Sequence, residues 1–394
     1  MKKYLLLVCL TIASVIKGYT QENKLSNKEK KEVLKMVSKH LVESYVDLDV
    51  ANKMSKSLSL NKKKYSSISN SNEFSKTLTK DLQKISKDLH LKVNFEPKRI
   101  AQNKKAIPQN VIDKRNILMQ KRLSEVNYGF LEVKVLSGNI GYINLRMFAD
   151  LKYAKQTADA AMHFLQNTNA IIIDLRFNGG GVPNTMQYIA SYFTNEDPLL
   201  LSEFFERKTK STSKLYTLDT IDGKRRTKVP LYILTSRRTF SAAEAFSYSL
   251  KHYKKAIIVG EQTRGGANRT KRMSINENFT ISVPYIKAIH PVTKTNWEGI
   301  GVEPTIKTTS KLALATAYIN SIEKTVKRNK KRLLNKIGYE FLKEKKIDNA
   351  IVVFKESTRL FPQDSNSWDS LGEAYLFNNE KQNALKAYKV ALKL

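Results

Sequence analysis

The leading candidate for a chemical role in this sequence is a serine at a predicted helix N-terminus. Ser241 lies in Thr235-Ser-Arg-Arg-Thr-Phe-Ser-Ala-Ala-Glu-Ala-Phe246, which leaves an apolar, strand-like run and enters a helical one. One interpretation is structural, since Ser241 followed three residues later by Glu244 is a capping box. The other is catalytic, since the helix dipole and the Ala242 N–H would stabilise an oxyanion beside a serine nucleophile. The two roles are compatible.

A glycine-rich segment is the second place where chemistry is possible. Asp174-Leu-Arg-Phe-Asn-Gly-Gly-Gly181 follows the most apolar run of the chain and precedes a helical one. Three consecutive glycines at the carboxyl end of a strand permit close backbone approach and positive φ. Unpaired N–H groups there can hold an anion or a developing oxyanion. The spacing is not that of a phosphate-binding P-loop, and by itself the segment is ambiguous.

Alternating strands and helices are predicted to position both segments. Strand patterns occur at 139–145, 170–175, 229–235 and 256–260, with helical stretches at about 150–167, 183–194 and 241–254. This alternation is typical of an α/β core with a largely parallel sheet. Residues 273–287 alternate around Asn276-Glu277-Asn278, which predicts a hairpin.

The chain before this core is predicted to be helical. Residues 26–90 contain almost no Gly or Pro, and their apolar residues recur at spacings of three and four, as in Val33, Val37 and Leu41. We therefore expect a small helical domain. Residues 96–127 are basic and polar without a regular pattern, which suggests a linker or an arm crossing between domains.

The end of the chain contains a repeat of 34 residues. Ile337, Gly338, Phe341, Ala350 and Phe354 recur as Leu371, Gly372, Tyr375, Ala384 and Tyr388, and Pro362 closes the first unit. The pattern resembles the tetratricopeptide repeat, a helix–turn–helix unit in which small residues allow close helix approach. Two units are fewer than the usual three, so we expect them to lean on a helix around 311–331 or on the preceding domain. A packed extension without a ligand and a peptide-binding groove both remain open.

Composition and charge limit the class of protein. The chain has 394 residues, with 41% apolar residues, enough for a core and for two or three domains. Its 69 Lys+Arg against 36 Asp+Glu give a net charge of +33, which raises the possibility of a polyanion binder. No nucleic-acid motif accompanies this charge, and the basic residues are mostly scattered lysines. We therefore expect no specific nucleic-acid partner.

Residues 1–20 are predicted to be a secretory signal peptide. Lys2 and Lys3 precede an apolar stretch of 13 residues that ends at Ile16, and polar Gln21 follows the segment. This stretch is too short for a bilayer span, which needs about 20 residues. Cys9, the only cysteine, lies within it, after too few apolar residues for a lipid-attachment site. The sequence thus predicts an exported protein, periplasmic or secreted, without a transmembrane span or a mature thiol.

The two chemical segments, with three others, resemble the tail-specific (C-terminal processing) serine peptidases. The likeness is greatest to the bacterial homologues of the interphotoreceptor retinoid-binding protein, a branch related to the tricorn protease core. The matching pieces are Gly141-Tyr-Ile, Asp174-Leu-Arg-Phe-Asn-Gly-Gly-Gly, Thr239-Phe-Ser-Ala-Ala-Glu, Val259-Gly-Glu-Gln-Thr-Arg-Gly-Gly-Ala and Glu298-Gly-Ile-Gly-Val-Glu-Pro. The resemblance covers about residues 26–306. It implies a crotonase-like core of ββα units, here between a helical domain and a helical extension, without room for a PDZ domain.

The resemblance also implies a catalytic site. Ser241 matches the nucleophile, and the N–H groups of Ala242 and of Gly179 or Gly180 would form the oxyanion hole. The best-known members use a lysine as general base in a Gly-Lys-Gly segment. Gly266 stands at that position here, which excludes a Ser–Lys dyad at this site.

The tricorn-like branch uses a serine, a histidine and a glutamate instead, and matching residues are present. His90 stands where that branch places its base, and Glu298 where it places the carboxylate that orients the base. A neutral imidazole can accept the serine proton, and a carboxylate can fix its tautomer. The remaining histidines show no metal-ligand spacing and are interpreted as structural: His40, His163, His252 and His290. No metal or organic cofactor is expected.

These inferences combine into one hypothesis and one alternative. The hypothesis is an exported serine endopeptidase that cleaves peptides or unfolded proteins through an acyl-enzyme, using a Ser-His-Glu triad. The alternative is a catalytically silent member of the same fold that binds peptides or apolar ligands. The predicted order is a signal peptide (1–20), a helical domain (21–95), a linker or arm (96–127), a peptidase core (128–310) and a helical extension (311–394). The extension would provide a surface for a protein partner.

Overall fold

The computed structural model describes residues 25–103 and 108–394, so the predicted signal peptide lies outside the described residues. No helix in these ranges is both long enough and apolar enough to cross a membrane. The helices are α1 (Asn27–Ser44), α2 (Leu48–Leu60), α3 (Lys62–Ser66), α4 (Ser71–Ser86), α5 (Pro97–Asn103), α6 (Gln109–Glu125), α7 (Leu151–Phe164), α8 (Pro183–Ser191), α9 (Ala242–His252), α10 (Ala313–Thr325), α11 (Lys330–Lys343), α12 (Ile347–Leu360), α13 (Ser365–Phe377) and α14 (Lys381–Ala391).

The described residues form two compact units. The strands are β1 (Lys92–Phe95), β2 (Phe130–Leu136), β3 (Ile140–Leu145), β4 (Ala170–Asp174), β5 (Leu200–Glu206), β6 (Ser211–Tyr216), β7 (Leu231–Thr235), β8 (Ile257–Gly260), β9 (Arg269–Ser274), β10 (Phe279–Ile289) and β11 (Ile306–Lys307). The first unit contains the described residues up to 103, with 206–211 and 268–287. The second contains 108–205, 212–267 and 288–394.

The core of the second unit is a six-stranded sheet in the order β11-β8-β7-β4-β3-β2. Its strands are parallel except for β2, which pairs antiparallel with β3. Successive residues of β4 point to opposite faces. Ile171 and Ile173 pack with α7, α8 and α9, whereas Ala170 and Ile172 pack with α10 and the helices after it. The α/β core with a largely parallel sheet, predicted from the alternating patterns, is confirmed.

The first unit combines helices with a small sheet. Its core contains the apolar positions that gave the helical pattern, including Val33, Val37 and Leu41 of α1 and Phe74 of α4. The predicted hairpin is present as β9 and β10, and β1 adds to β10 antiparallel. The hairpin contributes Phe279 to the same core. Hydrophobic alternation predicts the hairpin but not the unit into which it folds.

The segment predicted as a linker or arm is helical where the structure describes it. It forms α5 and α6, although the sequence gave no regular pattern there. Helix α6 has 17 residues and no buried side chain. A helix without a buried face leaves no periodic apolar signal, which explains why the pattern does not predict it.

The 34-residue repeat forms two helical hairpins, α11–α12 and α13–α14. A Cβ on Gly338 would lie 2.3 Å from the Phe354 ring, and one on Gly372 would lie 2.7 Å from the Tyr388 ring. Each glycine thus allows an aromatic ring of the paired helix to approach the backbone. Helix α10 packs between the sheet and this extension in one continuous core, as expected for a pair of repeats that leans on a neighbouring helix. Assignment to the tetratricopeptide family stays a prediction.

We expect Gly338→Ala to destabilise the protein by about 1–3 kcal/mol, because the added methyl overlaps the Phe354 ring. Alanine normally stabilises a helix interior by roughly 0.5–1 kcal/mol relative to glycine, so the expected sign is reversed. Urea unfolding of the full chain measures the effect. In a Phe354→Leu background the ring is gone and the cost of Gly338→Ala should shrink. An equal cost in both backgrounds would contradict the packing described here.

Candidate active site

Ser241 occupies a sharp turn between β7 and α9. Its backbone has φ 57° and ψ −120°, a conformation that strains a residue with a side chain. Ser241 is half-buried, and Ala242 begins the helix, so the hydroxyl lies at the positive end of the helix dipole. A strained strand-to-helix turn is how α/β hydrolases expose a nucleophile. An ordinary N-cap residue has backbone angles in the β region, so the conformation of Ser241 departs from that of a usual helix cap.

The buried carboxylate of Glu244 fixes this turn by hydrogen bonds. Glu244 is fully buried and accepts the N–H of Ser241 at 2.8 Å, the glutamate half of the predicted capping box. It also accepts the Thr263 hydroxyl at 2.5 Å and the N–H groups of Gly265 and Gly266 at 2.6 and 2.9 Å. Burial raises the pKa of Glu244 to about 7, and the hydrogen bonds, which favour the ionised form, only partly offset this. The Glu244 side chain therefore joins the Ser241 turn to the loop of Thr263, Gly265 and Gly266.

The glycine-rich loop lies directly against Ser241. A Cβ on Gly180 would fall 2.8 Å from the Ser241 Cβ and 3.0 Å from the Ala242 N, and Gly180 has φ +99°. Only glycine permits this approach. The Gly180 N–H donates to Asn178 Oδ1 at 2.8 Å, so this N–H is already engaged. Gly179 is exposed, and a Cβ there would meet no atom within 4 Å. Of the two predicted glycine donors, this geometry favours Gly179 together with Ala242.

Asn178 ties the glycine loop to its neighbours. Its side-chain Nδ2 donates to the carbonyl of Leu145, at the end of β3, at 3.0 Å. Its backbone carbonyl accepts the Phe240 N–H at 3.1 Å. Asn178 is fully buried. Asn178 belongs to the glycine-rich motif, in which the residue pattern assigns it no role. Its place directly before the three glycines is the signal that the sequence offers.

A buried ion pair fixes the start of the same loop. Asp174 ends β4 and accepts the Arg176 Nε at 2.9 Å and the Tyr142 hydroxyl at 2.8 Å. The Arg176 Nη1 donates to the Ser310 carbonyl at 2.6 Å. Burial and the nearby Asp174 carboxylate raise the pKa of Tyr142, so both phenol and guanidinium stay protonated. The pair is neutral as a whole and fixes the start of the loop.

Glu298 belongs to a loop that is hydrogen-bonded to residues 263–267, the segment to which Glu244 binds. Its Oε2 accepts the N–H of Ala267 at 2.6 Å, and the indole N–H of Trp297 donates to the Gly266 carbonyl at 2.9 Å. The Val302 N–H donates to the Thr263 hydroxyl at 2.6 Å. The loop containing Gly266 thus supports Glu298.

His90 lies in the first unit, after α4. The backbone N–H of His90 donates to Asp88 Oδ1 at 2.9 Å, and the same oxygen lies 3.8 Å from the ring atom His90 Nδ1. Asp88 is fully buried and accepts Asn268 Nδ2 at 2.9 Å on its other oxygen. The structure adds a buried carboxylate beside the predicted base.

The remaining histidines occupy different surroundings. His290 is buried among Tyr248, Tyr253 and His252, and burial with the nearby His252 lowers its pKa to about 4. It is therefore neutral at neutral pH. His40 contacts the Ser274 carbonyl at 3.1 Å. The His163 Nε2 lies 3.5 Å from the Asp222 Oδ1. Their interpretation as structural residues stays a prediction.

The second unit thus brings Ser241, Ala242 and the glycine loop together and connects them to Glu298 through shared loops. His90 and Asp88 belong to the other unit, and their part in the site is inferred from the motif. Sequence reasoning missed the second role of Glu244, since the capping box explains only one of its four hydrogen bonds.

Comparison with known proteins gives relatives of one kind. The tail-specific protease of Haemophilus influenzae is 25% identical over 147 residues, which is 36% of this chain and 20% of that protein. The carboxyl-terminal-processing peptidase 2 of Arabidopsis thaliana is 27% identical over 171 residues, 43% of this chain and 32% of that protein. This chain therefore spans no more than about a third of the length of either relative.

A solved structure supports the fold. The crystal structure of a putative peptidase from Parabacteroides merdae superposes with a TM-score of 0.50 at 18% identity, covering 71% of this chain and 90% of that one. Two family profiles also match. One is the N-terminal domain of peptidase S41 in eukaryotic interphotoreceptor retinoid-binding protein, over residues 25–125. The other is peptidase family S41 itself, over residues 139–308. These matches confirm the resemblance seen in the motifs, and the chain belongs to peptidase family S41.

Proposed function

We propose that this protein is an exported serine endopeptidase that cleaves peptides or unfolded proteins through an acyl-enzyme. The observation that carries the proposal is the strained turn at Ser241, against which Gly180 packs so closely that a Cβ there would lie 2.8 Å from the serine Cβ. A structural cap does not require positive φ or a glycine loop at this distance. Export rests on the predicted signal peptide, residues 1–20.

In the proposed reaction, Ser241 Oγ attacks the scissile carbonyl carbon and its proton passes to His90. The carbonyl oxygen gains negative charge and accepts the N–H groups of Ala242 and Gly179. The tetrahedral intermediate collapses, the C–N bond breaks, and the leaving amine takes the proton from the imidazolium. Water then attacks the acyl-enzyme by the same route and restores Ser241.

Two carboxylates are candidates for the group that orients the His90 imidazole. Glu298 is the residue that the family resemblance implies, and its Oε2 is bound by the Ala267 N–H. Asp88 is supported by its position, 3.8 Å from His90 Nδ1. We propose Glu298 as the third member of the triad and Asp88 as a buried support that fixes the backbone of His90 through its N–H.

A fluorophosphonate probe should label the purified protein at Ser241, because an activated serine attacks the phosphorus centre. Ser241→Ala should abolish labelling and lower kcat/KM on an unfolded protein substrate by roughly 10³-fold or more. Mass spectrometry of the labelled peptide identifies the site. Ser213→Ala, at an exposed serine of β6, is the matched control and should label normally. Folded wild-type protein that resists the probe would overturn the peptidase proposal and favour a silent, ligand-binding member of the fold.

His90→Ala should lower kcat/KM by roughly 10²–10⁴-fold, the usual contribution of a general base. His40→Gln, at the other histidine of the first unit, is the control and should retain activity. Glu298→Gln and Asp88→Asn are then compared under the same conditions. A large loss with Glu298→Gln supports the proposed triad. A large loss confined to Asp88→Asn would make Asp88 the orienting carboxylate, and full activity in both variants would contradict a carboxylate-assisted base.

The stability of the protein should fall as Glu244 ionises. Its pKa in the folded protein is about 7, above the ordinary value of 4.5, so the folded state holds a proton that the unfolded chain releases. This contribution is complete below the unfolded pKa and is lost as pH rises through about 7. The difference in free energy of unfolding between wild type and Glu244→Gln should therefore drop by about 2–3 kcal/mol from pH 5 to pH 8.

Urea unfolding across this pH range measures the difference. Glu303→Gln, at an exposed glutamate next to Val302, is the matched control and should follow wild type at every pH. A difference between wild type and Glu244→Gln that is constant with pH would show that burial does not raise the pKa of Glu244.

A further inference from the structure

Two arginines flank one exposed aromatic ring beside the glycine loop. The guanidinium of Arg146 lies 4.7 Å from the centre of the Phe177 ring, and that of Arg238 lies 5.3 Å from it. Phe177 is 46% exposed, whereas the following residue, Asn178, is fully buried. The three residues form a cationic cluster on a hydrophobic base, called here the Arg–Phe–Arg cluster.

Backbone contacts fix this cluster to the nucleophile turn. Arg146, Phe177 and Arg238 follow β3, β4 and β7, adjacent parallel strands whose carboxyl ends meet at one edge of the sheet. The Thr239 hydroxyl donates to the Leu175 carbonyl at 2.8 Å. This hydrogen bond joins the turn after β7, which contains Arg238, to the turn after β4, which contains Phe177. Phe177 precedes Gly180 by three residues, and Arg238 precedes Ser241 by three. The cluster therefore lies on the same loops as the nucleophile and the proposed oxyanion donors.

The charge of the cluster is not neutralised within the described ranges, 25–103 and 108–394. Neither Arg146 nor Arg238 forms an ion pair there, whereas nearby Arg176 is paired with Asp174 at 2.5 Å. The Nε of Arg146 is buried and meets no acceptor in those ranges. A buried guanidinium N–H without an acceptor is costly unless a ligand supplies one. A third cation, Arg264, stacks on Phe240 at 5.4 Å, next to the nucleophile, and is also without an ion pair in this part of the chain.

The cluster suits a carboxylate. A guanidinium presents parallel N–H donors that match the two oxygens of a carboxylate, and the ring holds both guanidiniums without competing for those donors. A peptide offers such a group as an Asp or Glu side chain or as its C-terminal carboxylate. A neutral or basic side chain at the same place would leave the positive charge uncompensated.

We propose that the Arg–Phe–Arg cluster is a specificity subsite that binds a substrate carboxylate near the scissile bond. This inference rests on the proposed peptidase function and adds the substrate class to it. Arg146 and Arg238 bind the carboxylate oxygens, and the exposed Phe177 ring contacts the aliphatic part of the residue that bears them. Peptides with an acidic group at this subsite are therefore cleaved in preference to their neutral isosteres.

The experiment uses internally quenched peptides derived from one sequence that the wild-type protein cleaves, with the cleavage site mapped by mass spectrometry. In the first set a single Glu replaces Gln at successive positions around that site, with the C-terminus amidated. In the second set the residues are neutral, the length from the cleavage site to the end varies, and each peptide is compared as free acid and as amide. The first set detects a side-chain carboxylate and the second a terminal one.

We expect kcat/KM of the wild type to be roughly 10-fold or more higher for the carboxylate peptide at one position of either set, as for a charge-assisted hydrogen bond. In Arg146→Gln and in Arg238→Gln the ratio of acidic to neutral peptide should fall towards 1. Arg238→Glu should reverse the preference towards a Lys-containing peptide. Arg237→Gln removes an adjacent exposed arginine of the same turn that does not contact Phe177, and it should keep the wild-type ratio.

Each outcome separates this inference from the proposed function. Wild-type protein that cleaves peptides without a carboxylate preference overturns the subsite, as does a preference that survives both Arg146→Gln and Arg238→Gln. Wild-type protein that neither cleaves peptides nor reacts with fluorophosphonate overturns the proposed function instead. Labelling by the probe also shows whether each arginine variant retains a folded site, and Arg238, being exposed, is replaceable without disturbing the core.

Discussion

The hydrogen bonds of one buried carboxylate determine the arrangement of the site in the second unit. Glu244 lies in the first turn of α9 and binds the backbone of Ser241 on one side and the loop of Thr263, Gly265 and Gly266 on the other. Removing this carboxylate would leave three N–H groups and a hydroxyl without an acceptor inside the protein. The strained conformation of Ser241 persists because the surrounding hydrogen bonds fix it.

The same hydrogen bonds involve position 266, where the family resemblance leads one to expect a lysine and this chain has glycine. Gly266 supplies only backbone: its N–H binds Glu244 and its carbonyl accepts the Trp297 indole N–H. The loop connects the Ser241 turn with the loop of Glu298. The proposed mechanism therefore takes its base from elsewhere in the chain, at His90.

The sequence predicts the local setting of the candidate site residues better than their contacts. The strand–turn–helix pattern at Ser241 and the glycines after β4 were predictable because such patterns are visible in one dimension, whereas the catalytic roles of Ser241, Gly179 and Ala242 stay predictions. The engagement of the Gly180 N–H by Asn178 was not predictable, because it depends on how a side chain folds back over two residues. For the same reason the hairpin of β9 and β10 was predicted, whereas its place in the core of the first unit was not.

The net charge of +33 has a different meaning once individual cations are located. Most of the charge is carried by exposed lysines, whose fields are screened within about 8–10 Å at physiological salt. Arg176 is paired with Asp174. Arg146 and Arg238, in contrast, are held beside an aromatic ring on loops next to Ser241, without an ion pair among the described residues. In the proposed subsite, two guanidiniums at fixed positions would distinguish one substrate from another, which a large but diffuse charge cannot do. Under this proposal selectivity is a local property of the sheet edge, and the overall charge affects mainly the rate at which acidic molecules approach it.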